Sequence, residues 1–205
     1  MTKGKSAPSP SLVERPFTLH LTGLRPLLMH NGRLANPLDP WARLVAEVSK
    51  KRNKTVQDYA ELARREARGA MYETADGVLG IPLTNVWKCL QQAGKSFKLG
   101  TAIDLAIADN PDILPLFIGG EPQKCDTYLE HHPECLFYRS VVVQRRRTMR
   151  ARPLMPMGWT VDATFSLRED LLDLARLRPV IERMGTLGLC DWRPKYGTFR
   201  AELVE

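Results

Sequence analysis

The chain of 205 residues has no uninterrupted apolar run of the roughly 18 to 20 residues that a membrane helix needs. Its first residues, Met1 to Ser11, lack the apolar core of a secretory signal peptide. Cysteine is scarce, with four residues, and without a secretory signal these are interpreted as reduced thiols. We therefore expect a cytoplasmic protein that is neither secreted nor embedded in a membrane.

The sequence also lacks the short motifs of common catalytic and nucleotide-binding sites. It contains no G-x-S-x-G, no H-E-x-x-H, no G-x-x-x-x-G-K-[ST] and no G-x-G-x-x-G. Cys125, His131, His132 and Cys135 lie within eleven residues, but their spacing is unlike that of structural zinc sites, and adjacent histidines rarely bind one ion. No catalytic residue, cofactor or metal is predicted, and metal binding by these four residues stays an open alternative.

Composition indicates a globular, basic protein. The apolar fraction is 43% and the charged fraction 26%, and the length suits one domain with insertions. Lys and Arg number 30 against 23 Asp and Glu, so the net charge of +7 favours a polyanionic partner. Residues 1–15, rich in Ser, Pro, Lys and Gly, are predicted to form a flexible arm before a single domain over 16–205.

The periodicity of apolar residues predicts an α+β fold. A period of two from Phe17 predicts a strand, and Thr55 with Asp58 three residues later predicts the start of a helix. The core elements predicted in chain order are strand 17–29, helix 82–98, strand 138–151, strand 158–168, helix 167–184 with a capping box at Ser166–Glu169, and strand 196–204. This βαββαβ order predicts a ferredoxin-like (RRM-like) core. Residues 30–80 would be a helical insertion after the first strand, and 100–135 a second insertion.

The segment from Arg139 to Arg152 is the most informative feature. It carries six arginines and no acidic residue: Arg139, Arg145, Arg146, Arg147, Arg150 and Arg152. Strand parity places Arg146, Thr148, Arg150 and Arg152 on one face and Val141, Val143, Arg145 and Arg147 on the other. Both faces are polar beyond residue 144, so this part should stand clear of the core as a projecting basic β-hairpin. Guanidiniums without counterions suit phosphates, and a solvated charge run is the alternative.

Further basic and polar residues are candidates for the same interface. A basic loop holds Lys50, Lys51, Arg52 and Lys54, and Arg64, Arg65 and Arg68 follow on the next helix; a merely solubilising loop is the alternative. Lys88 lies on the polar side of helix 82–98, and His30 with Asn31 ends the first strand as possible additional contacts. Asp39 is a turn residue or, in a second hypothesis, an aid to metal-dependent RNA cleavage.

Four segments resemble the RAMP superfamily, which includes the crRNA-binding backbone subunits of CRISPR effectors and small phage and prophage relatives. The first strand ends in LHLTGLRPLLMHNG, and Gly80–Val86 resembles the turn that opens the first helix of these proteins. The arginine-rich strand ends in Arg152-Pro153-Leu154, and GLCDWRPKYG at 188–197 resembles their glycine-rich loop before the last strand. The segments follow the family order over about 17–204. Leu83 and Cys190 stand where glycines are expected.

The resemblance implies a ferredoxin-like palm, a thumb formed by the arginine hairpin, and head-to-tail assembly as a homo-oligomer or filament along single-stranded RNA or DNA in a bacterial host. The first-helix turn (Thr84, Asn85, with Lys88) and the terminal loop (Trp192, Arg193, Lys195, Tyr196) would line the strand-binding surface. Trp192 and Tyr196 are either stacking faces or buried rings. RNA or DNA, and an effector complex or phage recombination, stay open as partners and processes. The alternatives are an endoribonuclease that uses Asp39 or His30, and a phage structural protein with a basic face.

Overall fold

The computed structural model describes residues 14–108, 112–143 and 145–204, so most of the predicted arm lies outside the described residues. The helices are α1 (Pro40–Ser49), α2 (Val56–Gly69), α3 (Leu83–Lys95), α4 (Gly100–Ala106), α5 (Cys125–His131) and α6 (Leu174–Leu187). The strands are β1 (Glu14–Gly23), β2 (Leu27–Leu28), β3 (Gly80–Pro82), β4 (Ile113–Pro115), β5 (Phe117–Ile118), β6 (Glu121–Pro122), β7 (Leu136–Val143), β8 (Arg146–Met155), β9 (Thr160–Arg168) and β10 (Phe199–Val204). The architecture is α+β with antiparallel sheets. Within the described ranges, no helix has the length and apolarity to cross a bilayer.

The largest sheet has five strands in the order β10-β1-β9-β5-β6, and every neighbouring pair is antiparallel. Phe17, Leu19 and Leu21 of β1 are buried, whereas Thr18 and His20 point to the other, half-exposed face. The buried residues join those of α3 and α6 in one core cluster. The predicted alternation of β1 is therefore confirmed, and one face of the sheet stays open.

The first strand ends earlier than predicted. β1 stops at Gly23, and the chain enters a second, three-stranded sheet of order β2-β8-β7. A Cβ at Gly23 would overlap the ring of Trp159, so the backbone approaches that side chain closely. Pro26 has no N–H to continue a ladder, and this favours a break in the strand before Leu27.

The predicted capping box of α2 is confirmed, and that of α6 is wrong. Thr55 accepts a hydrogen bond from the Asp58 N–H, and the Asp58 carboxylate accepts one from the Thr55 N–H. In contrast, Ser166 lies inside β9, opposite Pro16 of β1. Helix α6 begins only at Leu174, with Asp173 as its N-cap. Strand pairing along buried Leu167 outweighs the local capping signal.

The predicted single strand 138–151 is wrong, because the chain reverses between Val143 and Arg146. β7 and β8 pair with each other as an antiparallel hairpin, which we call the arginine hairpin (Leu136–Met155). The next predicted strand, 158–168, corresponds to β9, which pairs with β1 and not with the hairpin. At the base of the hairpin Ala151 packs on Ala63 and Ala67 of α2.

Candidate nucleic-acid interface

The register of the arginine hairpin decides which side chains share a face. Phe137 lies opposite Arg152, Arg139 opposite Arg150, and Val141 opposite Thr148. Directly opposite residues of an antiparallel pair point to the same side. The prediction that Val141 and the even-numbered arginines lie on different faces is therefore wrong, since it assumed one continuous strand. One face, the arginine face, carries Phe137, Arg139, Arg146, Arg150 and Arg152.

The arginines at the turn of the hairpin are exposed, and none of them pairs with a carboxylate among the described residues. Arg145, Arg146 and Arg147, here called the tip arginines, are all exposed. No carboxylate of the described residues lies within salt-bridge distance of them or of Arg139, whose guanidinium lies 5.5 Å from the ring centre of Phe137. Like charges so close together repel each other in the free protein. An anion that binds here relieves this repulsion.

The arginines at the base of the hairpin have carboxylate partners, contrary to the prediction of six guanidiniums without counterions. Arg150 Nη1 donates to Glu66 Oε1 at 2.6 Å, and the N–H of Ala151 donates to Glu66 Oε2 at 3.0 Å. Arg152 Nε donates to Asp191 Oδ2 at 3.2 Å. Both acids come from distant parts of the sequence. Arg150 and Arg152 therefore hold the hairpin against α2 and the terminal loop, and they are positioning residues.

The terminal loop, residues 188–197, is fixed by its own backbone. The N–H of Gly197 donates to the Pro26 carbonyl at 2.8 Å, and the N–H of Asp191 donates to the Leu28 carbonyl at 2.9 Å. Cys190 and Trp192 have φ angles of 61° and 54°, in the left-handed region that glycine adopts most easily. This conformation explains why a glycine suits position 190. It also aims Trp192 outward, next to the arginine hairpin.

Three aromatic rings meet between the terminal loop and the hairpin. The ring centres of Phe137 and Trp192 lie 5.4 Å apart, those of Phe137 and Tyr196 5.6 Å, and those of Trp192 and Tyr196 6.1 Å. Trp192 keeps 39% of its surface exposed, whereas Tyr196 is half-buried. Trp192 is thus available for stacking, and Tyr196 mainly supports it. Sequence reasoning missed Phe137, since only the hairpin register brings it to this cluster.

A cleft of about 440 Å³ joins three of the segments in which site residues were predicted. His30 comes from the end of the first strand region, Asn85 and Lys88 from α3, and Arg193 from the terminal loop. Lys95, two turns after Lys88 on the same helix, lines the cleft as well. No carboxylate of the described residues is within salt-bridge distance of Lys88, Lys95 or Arg193. The cleft therefore combines three cations that have no carboxylate partner among the described residues with amide groups and with Asp191, whose carboxylate pairs with Arg152.

Burial and charge determine the protonation of the polar groups in this cleft. Partial desolvation and then the charge of Arg152 lower the pKa of His30. Burial raises the pKa of the Cys190 thiol to about 12. The hydroxyl of Tyr72 donates to the His30 carbonyl at 3.0 Å. At neutral pH His30 and Cys190 are neutral, so the positive charge of the cleft comes from lysine and arginine alone.

Some lysines of the basic loop already have hydrogen-bond partners within the protein. Lys51 Nζ donates to Asp58 Oδ1 at 2.6 Å, and Lys54 Nζ donates to the Lys51 carbonyl at 2.7 Å. The hydrogen bonds from Lys51 and Thr55 lower the pKa of Asp58 to about 2. Among the described residues no acid pairs with Lys50 or Arg52, which are exposed. These two remain candidates for phosphate contact.

Several other predicted residues have structural partners. Arg65 pairs with Glu47 and Glu61, and Arg68 pairs with Glu73 and Asp126. Asn31 caps a short 3-10 helix and donates to the Met71 carbonyl at 3.1 Å. Thr84 is half-buried in the first turn of α3, and Lys195 is exposed in the terminal loop. Neither of them lines the cleft.

The residues weighed for catalysis or metal binding are also accounted for. Asp39 is the N-cap of α1, where its carboxylate accepts from the Trp41 N–H at 2.8 Å. Cys125 and Cys135 are buried at opposite ends of the α5 region, while His131 is exposed. In the part of the chain that the structure describes, no group of three or more His, Cys, Asp or Glu residues could hold a metal ion.

Searches against protein-family models and curated protein sequences find no match to this chain.

Proposed function

We propose that this chain is a sequence-tolerant single-stranded nucleic-acid-binding protein of the RAMP superfamily, without catalytic activity. The observation that carries the proposal is the set of exposed tip arginines, for which the described part of the chain offers no carboxylate partner. Guanidinium groups bind phosphates by paired, charge-assisted hydrogen bonds, and the release of counterions adds to the affinity. The role is cytoplasmic, with the protein assembled head-to-tail as a homo-oligomer along the strand.

The strand order supports a ferredoxin-like core. A ferredoxin-like sheet has the order 4-1-3-2, and β10-β1-β9-β5 has the same order when the two-residue β5 is taken as the second strand. The helices α3 and α6 then follow the first and third strands. In this assignment the arginine hairpin is an insertion between the second and third strands, which agrees with a thumb-like role.

The protein can contact a nucleic-acid strand through the phosphates of its backbone and through the flat faces of its bases. From the tip arginines the arginine face leads past Arg139 to Phe137 and Trp192. The terminal loop continues to Arg193 and thus to the cleft with Lys88 and Lys95. Phosphates bind the cations and a base stacks on the exposed Trp192, so every base is accepted. The proposed binding is therefore sequence-tolerant.

The test compares two triple variants with the same change of net charge. Arg145, Arg146 and Arg147 are changed together to Glu, and binding to labelled single-stranded RNA and DNA is measured at low salt. We expect the affinity to fall at least about 100-fold, since three phosphate contacts become repulsive. The oligonucleotides should remain uncleaved after incubation with magnesium.

The control variant changes Arg15, Arg168 and Arg176 to Glu. The register Glu14↔Arg168 places the first two at the opposite end of β1 from Gly23, and Arg176 lies early in α6. This variant should bind within a few-fold of the wild type. Equal losses in both triple variants would indicate a nonspecific charge effect, and unchanged affinity in the tip variant would refute the proposal.

A further inference from the structure

The second face of the arginine hairpin carries exposed apolar side chains. In the hairpin register Tyr138 lies opposite Ala151, Ser140 opposite Met149, and Val142 opposite Arg147, so these residues share the face away from Arg139 and Arg150. Tyr138, Met149 and Val142 are exposed by 38%, 43% and 68%. This face is separate from the aromatic cluster around Trp192.

Helix α2 extends the same surface. Ala151, opposite Tyr138, packs on Ala63, and Tyr59 lies one helical turn before Ala63. Desolvation and then the charges of Glu66 and Tyr59 raise the pKa of Tyr138, so these α2 side chains lie close to it. Tyr59 and Val56 are exposed by 52% and 80%. Because α2 packs on the hairpin, we group the exposed apolar residues of the two elements under one name, the apolar strip: Val56, Tyr59, Tyr138, Val142 and Met149.

Positive charge lies at the end of the apolar strip that is nearest the hairpin turn. Ala70, at the end of α2, and Pro153, at the hairpin base, both bond to the segment Met29–Asn31. Helix α2 therefore starts on the side of the hairpin turn, where the basic loop with Lys50 and Arg52 precedes it. Arg147 shares the strip's face and lies at this same end, next to the turn.

The acids of α2 do not offset this charge. Asp58 pairs with Lys51, Glu61 with Arg65, and Glu66 with Arg150. Exposed aromatic rings beside cations that have no carboxylate partner among the described residues suit a ligand that has flat apolar faces and a polyanionic chain. Single-stranded nucleic acid has this chemistry.

We propose that the apolar strip is a stacking platform for unpaired bases of the strand whose phosphates bind the tip arginines. The inference rests on the function proposed above. The two faces of the hairpin meet at its turn. A nucleic-acid strand that leaves the arginine face and passes over the turn from Arg145 to Arg147 therefore reaches Val142 and Met149 next. Tyr138 and Tyr59 then offer two rings for successive bases.

The experiment separates stacking from phosphate binding. Tyr59→Leu/Tyr138→Leu is compared with Tyr59→Phe/Tyr138→Phe, and the probes are an oligothymidylate and an abasic oligomer with the same number of phosphates. We expect the Leu pair to bind the oligothymidylate about tenfold or more weakly, the abasic oligomer unchanged, and the salt dependence unaltered. The Phe pair keeps both rings and should bind like the wild type.

The outcomes distinguish the two proposals. If the Leu pair binds the oligothymidylate like the wild type, with a normal salt dependence, the stacking platform is refuted and the proposed function stands. If the wild type binds neither probe, the proposed function fails and the platform with it. If the Leu pair instead loses only binding to phosphatidylserine vesicles, or only self-association in sedimentation, the strip is a membrane or protein surface and the inference is overturned.

A second measurement covers the case in which the Leu pair does not fold. The wild type is irradiated with a bromouridine-substituted single-stranded RNA, and the cross-linked peptides are identified by mass spectrometry. Cross-links at Tyr59 or Tyr138 support the platform. Cross-links confined to Trp192 and the terminal loop would overturn it.

Discussion

The tip and the base of the arginine hairpin carry the same side chain in opposite situations. At the base, Arg150 and Arg152 pair with Glu66 and Asp191, which lie 84 and 39 residues away in sequence. At the tip, Arg145, Arg146 and Arg147 have no carboxylate partner among the described residues. The difference shows that a run of charge in a sequence does not itself reveal which charges can bind a ligand. The base arginines position the hairpin, and the tip arginines are free for an anion.

The largest expected effect at the base is on stability. Glu66→Ala removes the partner of Arg150 and leaves the buried N–H of Ala151 without an acceptor. An unsatisfied buried donor and a lost charge-assisted bond together cost about 2 to 3 kcal/mol. We expect the free energy of unfolding in urea to fall by that amount.

Glu61→Ala is the matched control, because Glu61 lies on the same helix and pairs with Arg65 at 2.7 Å. It is partly exposed, and its loss should cost only about 0.3 to 0.5 kcal/mol. Equal losses for the two variants would mean that Glu66 does not fasten the hairpin.

A smaller effect is expected at the second base pair. Asp191→Asn removes the charge that holds Arg152, while an amide oxygen can still accept from the Trp192 N–H. Stability should fall by about 1 kcal/mol. Affinity for single-stranded nucleic acid at low salt should rise a few-fold, because Arg152 becomes free at the edge of the cleft. A loss of affinity without unfolding would show that Asp191 itself belongs to the binding surface.

The smallest effect concerns pH. In the folded chain the pKa of His30 lies below its ordinary value of 6.5. Desolvation lowers it most, and the charges of Arg152 and, less strongly, Arg150 lower it further, whereas the charge of Asp191 raises it. The unfolded chain therefore binds the proton more tightly. Above pH 6.5 His30 is neutral in both states and does not oppose folding. As the pH falls below 6.5, protonation of His30 in the unfolded chain lowers the stability of the folded chain.

Unfolding in urea above and below pH 6.5 measures this contribution. The wild type should lose more stability on acidification than His30→Gln. In Asp191→Asn the loss should be larger than in the wild type, because the charge that raises the pKa of His30 is gone. Identical pH profiles for all three proteins would show that His30 does not sense the base arginines.

The sequence predicted the elements whose signals are local. The alternation from Phe17, the N-cap at Thr55 and the helix that carries Lys88 were all correct within a few residues. The turn of the arginine hairpin was missed, because the sequence around Arg145 has no Gly, Asn or Asp to mark a hairpin. Arg145 nevertheless takes the left-handed conformation, with φ of 66°.

The sequence predicted those residues of the candidate site that are recognisable by their charge. Lys88 and Arg193 indeed share a cleft with His30 and Asn85. The pairing of Arg150 and Arg152 depends on tertiary contacts with α2 and the terminal loop, which strand parity cannot indicate. The positions of Phe137 and of the apolar strip follow from the register between β7 and β8. This register could not be predicted, because the sequence analysis did not predict the hairpin.

The most direct test of the difference between tip and base is the salt dependence of binding. The affinity for a single-stranded oligonucleotide is measured over a range of salt concentrations for the wild type, for Arg145, Arg146 and Arg147 changed together to Gln, and for Arg150 and Arg152 changed together to Gln. In the tip variant we expect the slope of log affinity against log salt to become shallower by about 2, because each of three lost phosphate contacts contributes about 0.7. In the base variant we expect the slope to stay near that of the wild type. A tip variant with an unchanged slope, or a base variant with the larger change, would contradict this expectation.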